Sequence, residues 1–385
     1  MEIKDKIKKD LLEDALENYN VCLRIIRSNS EITSKILIQY FPFLSLNLLD
    51  IIDEFELSEI ADEYYSQDVG EFTKLLHSSR AILKQDTTNT KYAENKKEIL
   101  KYVNQNYNYL IKDYNIIQKI RIKFQGQKDF AVYSYKGVPF FNNIQNLRFI
   151  DFFLDDDVIN GEELSRFSSN AVNFLQTIIS GFIDTEEYKE KFEEKIQEKL
   201  SDFDMNDYFV YEKARSDLFV NALKVDQNVF LFNLLCLVNS ANYLYPQVLR
   251  LGRHPQLRMK FITYLIVVKG LWIYKSKFNN LPKNLELLIN NSNLIFTNEK
   301  NRNDFRNNIF HFGLPSGAKY EVNIITSLVK HYLKMTLEEF NLFVTEELEI
   351  FIKECNLILF GEHKKFLGTN CWSFITLLLK DFIEN

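Results

Sequence analysis

The chain has 385 residues, 26% of them charged and 46% hydrophobic, enough for a large core and a length that suggests two or three domains. With 11 Gly and 6 Pro it lacks the punctuation of a turn-dense β-sandwich or barrel, and collagen-like or low-complexity classes are excluded. A net charge of −6, from 53 acidic and 47 basic residues, rules out strong global attraction to nucleic acid but leaves room for a local basic site.

Four cysteines, Cys22, Cys236, Cys355 and Cys371, stand far apart with no CxxC spacing. A disulfide framework and a thiolate zinc site are both unsupported. The first residues are charged and carry no secretory signal. The most apolar runs, 229–238 and 261–274, are too short to span a bilayer and read as buried helices. The expectation is a cytoplasmic protein with no membrane partner. Heavy use of Lys, Asn, Ile, Phe and Tyr points to an AT-rich, bacterial genome.

In chain order, residues 1–115 read as helices. Leu11, Leu12, Ala15, Leu16, Tyr19, Leu23 and Ile26 recur at three- and four-residue spacings, an amphipathic stripe. Breaks are expected near Pro42 and at Thr87-Thr88-Asn89-Thr90. The period then changes. Ile120, Ile122 and Phe124 alternate with Arg121 and Lys123, and 130–135 is β-branched and aromatic, so a β-hairpin is expected near 118–136, closed by Gly137 and Pro139. Asp155-Asp156-Asp157 does not fit calcium-loop spacing and reads as a solvated loop. Helices follow at 162–182 and 185–203. From about 226 the expected helices are 228–245, 256–278, 284–290, 299–312, 319–333, 337–359 and a last one from Trp372. The expected class is mainly α with a small β-hairpin. The expected division is a helical N-terminal region, 1–215, and a helical C-terminal domain, 216–385.

Glycine-rich phosphate loops, GxSxG and HExxH are absent. The histidines are His77, His254, His311, His331 and His363, none with another at i, i+4, so no metal site and no cofactor is expected. The constellation that stands out is 302–313, containing Arg306-Asn307-x-x-x-His311 and then Gly313. On a helix of about 100° per residue, Phe305, Ile309 and Phe312 fall on one face and Arg306, Asn307, Phe310 and His311 on the other. Asn307 and His311 form an i, i+4 pair in which the amide can orient the imidazole. Gly313 and Pro315 end the helix just past His311, near free carbonyls that favour positive charge. An outward Phe310 suggests a partner surface or a platform for a base.

Arg306-Asn307-x-x-x-His311 resembles the Arg-x4–6-His signature of the HEPN superfamily, in the form where Asn, Asp or His follows the arginine. The likeness covers about a dozen residues and a helical setting over 226–360. It implies a HEPN-like helical bundle in the C-terminal half. It also implies a metal-independent endoribonuclease of a bacterial defence, abortive-infection or toxin system, with Arg306 and His311 as the catalytic pair. The implied partners are RNA and a second copy of the chain, which would bring a second histidine to a composite dimer site. The N-terminal part would then be a sensor or regulator, responding to a protein or nucleotide trigger.

The chemistry fits. Attack of a ribose 2′-OH on the adjacent phosphate needs a base and an acid, and histidine serves either role near neutral pH. A guanidinium stabilises the phosphorane. Related nucleases often carry an acidic residue on an earlier helix; 256–278 has none, and Glu286 is the possible substitute. Arg250, Arg253, Arg258 and Lys260 form a basic cluster that could contact phosphates or balance acidic helices. The alternative function is a HEPN-like module that binds RNA, nucleotide or protein without cutting, and a further one is a plain helical interaction protein.

Overall fold

A computed structural model of the chain describes residues 3–27, 33–57, 71–84, 130–142, 145, 161–182, 202–208, 218–221, 223–249 and 253–361. Among them are ten α-helices, a π-helical stretch and three strands, so the expected class, mainly α with a small β element, is the one that forms.

The N-terminal helices are α1 (Ile3–Arg27), α2 (Thr33–Glu54) and α3 (Glu71–Lys84). The expected break at Pro42 does not occur, because α2 runs through the proline. A proline removes one helical donor and costs about 3 kcal/mol in a helix interior. Here every residue from 36 to 52 is buried, so packing on all sides sustains a helix that propensity would end. The expected break at 87–90 lies outside the described residues.

The hairpin is β1 (Phe130–Tyr135) and β2 (Val138–Asn142), antiparallel. Lys136 and Gly137 form its turn, with φ of 49° and 77°, the two positive values that a tight hairpin with right-handed twist favours. β3 (Phe203–Tyr208) pairs along the other edge of β1, giving the order β2-β1-β3. The expected position near 118–136 is thus corrected. The partner of 130–135 follows Gly137, and both edges of β1 are occupied. The alternating segment 120–124 lies outside the described residues. So does most of the expected helix 185–203, while Phe203 itself opens a strand. Pro139 is tolerated because β2 is an edge strand.

After α4 (Gly161–Phe182) come α5 (Val225–Asn239), which continues as a π-helix over Ser240–Leu249, then α6 (Arg253–Phe278), α7 (Lys283–Ile295), α8 (Glu299–Phe310), α9 (Ile324–Leu333) and α10 (Leu337–Phe360). The expected helix from Trp372 lies outside the described residues, as does Cys371. α5 is apolar on every side and nearly all buried, the pattern of a central helix. It packs on β2, α6 and α10. Asn239 donates to the Pro139 carbonyl at 2.8 Å and Ser240 to that of Phe140 at 3.1 Å, fixing the sheet to its C-terminal end. Phe130 meets Phe219 and Phe232, which in turn meet Phe360.

The buried core is continuous from Leu11 to Phe360, across the position expected to divide two domains. Polar contacts cross it too: Asp10 of α1 accepts from the Tyr320 hydroxyl at 2.9 Å and from the Ile324 N–H at 2.8 Å, at the start of α9. Two stretches, Lys35–Glu54 and Val225–Pro246, are long and apolar enough to cross a membrane, and both are mostly buried in this core.

Phe130→Ala removes the ring that joins the central strand to α5, and is expected to destabilise the chain by about 3–5 kcal/mol. Urea unfolding followed by circular dichroism measures it. A loss under about 1 kcal/mol would show the sheet to be energetically separate from the helices.

Candidate functional site

α8 begins at Asn298, whose side chain accepts from the Asn301 N–H at 2.8 Å, a strong N-cap. It ends at Phe310, two residues earlier than expected. His311 is the C-cap, its N–H on the Asn307 carbonyl at 3.0 Å, and Gly313 N–H reaches the Asn308 carbonyl at 3.0 Å. This is a Schellman closure, but the left-handed position holds Phe312, with φ of 46°. A bulky residue there is strained. Gly313 is favoured for a different reason: a Cβ would meet Asn308 Oδ1 at 2.7 Å and make that side chain shift. Asn308 itself donates to the Asp304 carbonyl and the Tyr332 hydroxyl, both at 2.8 Å, tying α8 to α9.

The strained turn is held by Arg258 of α6. Its Nε donates to the Ile309 carbonyl at 3.0 Å and Nη2 to the Phe310 carbonyl at 2.9 Å. The Phe312 ring lies on the guanidinium, whose Cζ is 4.0 Å from the ring centroid. Nη1 also donates to Asp14 Oδ2 of α1 at 2.8 Å, and Nη2 to Asp50 Oδ2 of α2 at 3.0 Å. Asn47 supports Asp14 from 3.1 Å. All three charged side chains are buried. Burial pushes the carboxyls of Asp14 and Asp50 above the usual carboxylate range; at Asp14 the Arg258 charge, and at Asp50 the bond to His311 and then that charge, pull the other way.

Asp50 carries this network to the surface. Its Oδ1 lies 3.6 Å from Nδ1 of His311, and the carboxylate is 5% exposed against 38% for the imidazole. Arg80 of α3 approaches the same Nδ1, with Nη1 at 3.3 Å, while its Nη2 lies 3.1 Å from Nδ1 of His77. A buried carboxylate behind a half-exposed imidazole fixes the ring and leaves its outer edge for proton transfer.

Arg306 faces elsewhere. It is half-buried in a cleft of about 760 Å³ between α6 and α8, with Lys269, Trp272, Arg302, Asn303 and Asn307 among the lining residues. Burial and the neighbouring Arg302 lower its pKa. A desolvated cation beside a like charge is stabilised by an anion. Trp272 is 45% exposed and offers a planar face.

Several expectations are corrected. Phe310 is not outward but 3% exposed. The helical wheel assumed one buried face, whereas Asp14, Asp50 and Arg258 converge on the end of α8 and cover a second. Asn307 contributes its carbonyl, and Asp50 and Arg80, not the Asn307 amide, meet the imidazole. Glu286 is paired with Lys275 of α6 and not with the motif; the carboxylate beside His311 is Asp50, from the N-terminal region. Arg258 is not a surface phosphate contact, because its donors are consumed inside. Lys260 is half-buried against Asn341 and Thr345. Arg250 lies outside the described residues, and of Arg253 only the backbone is described. Among the described residues no hydrogen bond or ion pair joins Arg306 to His311, and no three His, Cys, Asp or Glu side chains are grouped to hold a metal ion.

Asp14, Asp50, His77 and Arg80 were missed from sequence. For the aspartates a signal existed: Leu48-Leu49-Asp50-Ile51-Ile52 and Leu11-Leu12-Glu13-Asp14-Ala15-Leu16 set carboxylates in apolar stripes, where a charge must find a partner. Nothing local announces that His77 and Arg80 meet His311. Comparison of the chain with family models, curated proteins and solved structures found no match.

Arg258→Met leaves two buried carboxylates without their cation and is expected to cost about 3–5 kcal/mol, read by urea unfolding. A further test is pH. A carboxyl whose folded-state pKa is raised contributes stability that is full below the ordinary 3.8 and is lost as pH rises through the folded value. The stability of the natural chain relative to Asp14→Asn should therefore fall as pH rises over that window, with a slope of at most about 1.4 kcal/mol per unit. A difference that rises with pH would show Asp14 to titrate below its ordinary value.

Proposed function

We propose that the chain is an endoribonuclease that cleaves RNA by attack of the 2′-OH on the adjacent phosphate, without a metal ion. The observation that carries the reading is the half-exposed imidazole of His311 backed at 3.6 Å by the buried Asp50 carboxylate. Such a pair suits a group that gains and loses a proton during each turnover. Arg306, in a cleft with Arg302, Lys269 and Trp272, suits an anionic ligand with planar bases. RNA unites the two places, because successive phosphates let one strand meet both. The resemblance of Arg306-Asn307-x-x-x-His311 to the HEPN signature supports the same reaction, a defence or toxin role in a bacterial cytoplasm and a homodimer.

A second reading is a module that binds RNA or a nucleotide without cutting. The cationic cleft with its exposed Trp272 favours it, because that cleft requires nothing of His311.

The deciding experiment is incubation of the pure protein with total RNA in EDTA. Cleavage should leave 2′,3′-cyclic phosphate and 5′-hydroxyl ends, and DNA, lacking the nucleophile, should survive. His311→Ala should lower the rate at least about 100-fold, as loss of a general acid–base group does, and Arg306→Ala should weaken RNA binding and raise KM, because its cleft meets another phosphate of the strand. Full activity in either variant rejects that residue's role. Binding of RNA with no products from the natural chain selects the second reading.

A further inference from the structure

His77 and Arg80 stand one turn apart on α3, and the Arg80 guanidinium lies between two exposed imidazoles. One fork of fixed geometry touches Nδ1 of both rings, so these nitrogens are no more than about 9 Å apart. They belong to one chain. Among the described residues, the charged groups that face them are Arg80 from α3 and Asp50 from α2, with Arg258 of α6 behind Asp50, and His77 has a further contact besides Arg80.

The two contacts at Nδ1 of His311 compete. A guanidinium only donates, so Arg80 requires a lone pair on Nδ1, with the ring proton on Nε2. The Asp50 carboxylate, 3.6 Å from the same Nδ1, is at ion-pair distance and favours a proton there. One nitrogen cannot satisfy both. A better acceptor for Arg80 would release Nδ1 to Asp50 and move the lone pair to Nε2. A phosphate oxyanion is such an acceptor, since a charge-assisted bond is about twice as strong as one to a neutral group.

We propose that His77, Arg80 and His311 form a phosphate-binding and proton-transfer site within a single chain. Phosphate takes the Arg80 donors from the two rings, which then flank it. The proton-transfer part rests on the ribonuclease reading; the phosphate part does not. His311, with Nδ1–H on Asp50, accepts the 2′-OH proton at Nε2 as O2′ bonds to phosphorus, and Asp50 stabilises the imidazolium that forms. The P–O5′ bond breaks, and O5′ takes a proton from the His77 imidazolium. The products are a 2′,3′-cyclic phosphate and a 5′-hydroxyl. Exchange with water then returns both rings to their starting protonation.

Two measurements on the full chain test this. The first is long-range proton–nitrogen NMR of the imidazoles during titration with inorganic phosphate, with His77→Gln and His311→Gln assigning the signals. Both rings should shift along one binding curve, and Arg80→Met should weaken binding at least tenfold. Phosphate that moves neither ring, or binds Arg80→Met equally, overturns the site. The second is RNA cleavage in EDTA. His77→Gln should lower kcat at least 100-fold with KM within threefold, and an equimolar mixture of His77→Gln and His311→Gln should stay inactive. Full activity in His77→Gln, or recovery of a quarter of the natural rate in the mixture, overturns the single-chain assignment and leaves the ribonuclease reading standing. A natural chain that cuts no RNA overturns that reading and the proton-transfer role, and the phosphate titration alone then decides the site.

Discussion

The guanidinium of Arg258 is out of water, and four acceptors from three parts of the chain close around it. Two are carboxylates, Asp14 on α1 and Asp50 on α2; two are the last carbonyls of α8. Carbonyls at a helix end have no partner within the helix and carry partial negative charge, so a buried cation there satisfies both needs. Isolated buried charges are very costly, and this arrangement is stable only because both carboxylates are hydrogen-bonded to the same buried cation. It also fixes where α8 stops. With Ile309 and Phe310 tied to Arg258, the chain turns through a left-handed Phe312 whose ring rests on the same guanidinium.

That cluster holds two carboxylates and one guanidinium. If all are ionised, one negative charge is left over, and the negative end of the α8 dipole adds to it. The outlet is Asp50, whose second oxygen faces the His311 ring and, beyond it, Arg80. The surface histidine is therefore electrostatically continuous with the most buried ion pairs of the fold. Fold stability and the behaviour of the site are not independent quantities in this protein.

The N-terminal helices are consequently part of the site and not only attached to it. Asp50, His77 and Arg80 all precede the sheet in sequence, while His311 comes well after its last strand, Phe203–Tyr208. The cleft that holds Arg306 is built differently, from α6 and α8 alone. α8 thus presents one polar group to each of two environments: a cationic cleft along its side and, at its end, an imidazole beside Asp50 and Arg80.

The long apolar runs in 228–245, 256–278 and 337–359 were enough to place helices, because run length and apolarity are local properties of the chain. The break at Pro42 was misread because burial over 36–52 outweighs a proline, and burial depends on what packs against the helix. The hairpin was shifted because 120–124 and 130–135 carry the same alternation, and pairing is a choice between segments. At the site, the polarity of Arg306 and His311 and the stop at Gly313 were legible. The burial of Phe310 was not, since a wheel drawn for one helix cannot include the elements that cover its end. Sequence by itself determined the helices, the β-branched strand and the residue types available for chemistry, all set by side chains within a few positions of one another. Only the tertiary structure decided that Asp14, Asp50 and Arg258 are one buried cluster and that His77, Arg80 and His311 are neighbours, because those contacts join residues 208 to 244 positions apart and exist only once the core between them has closed.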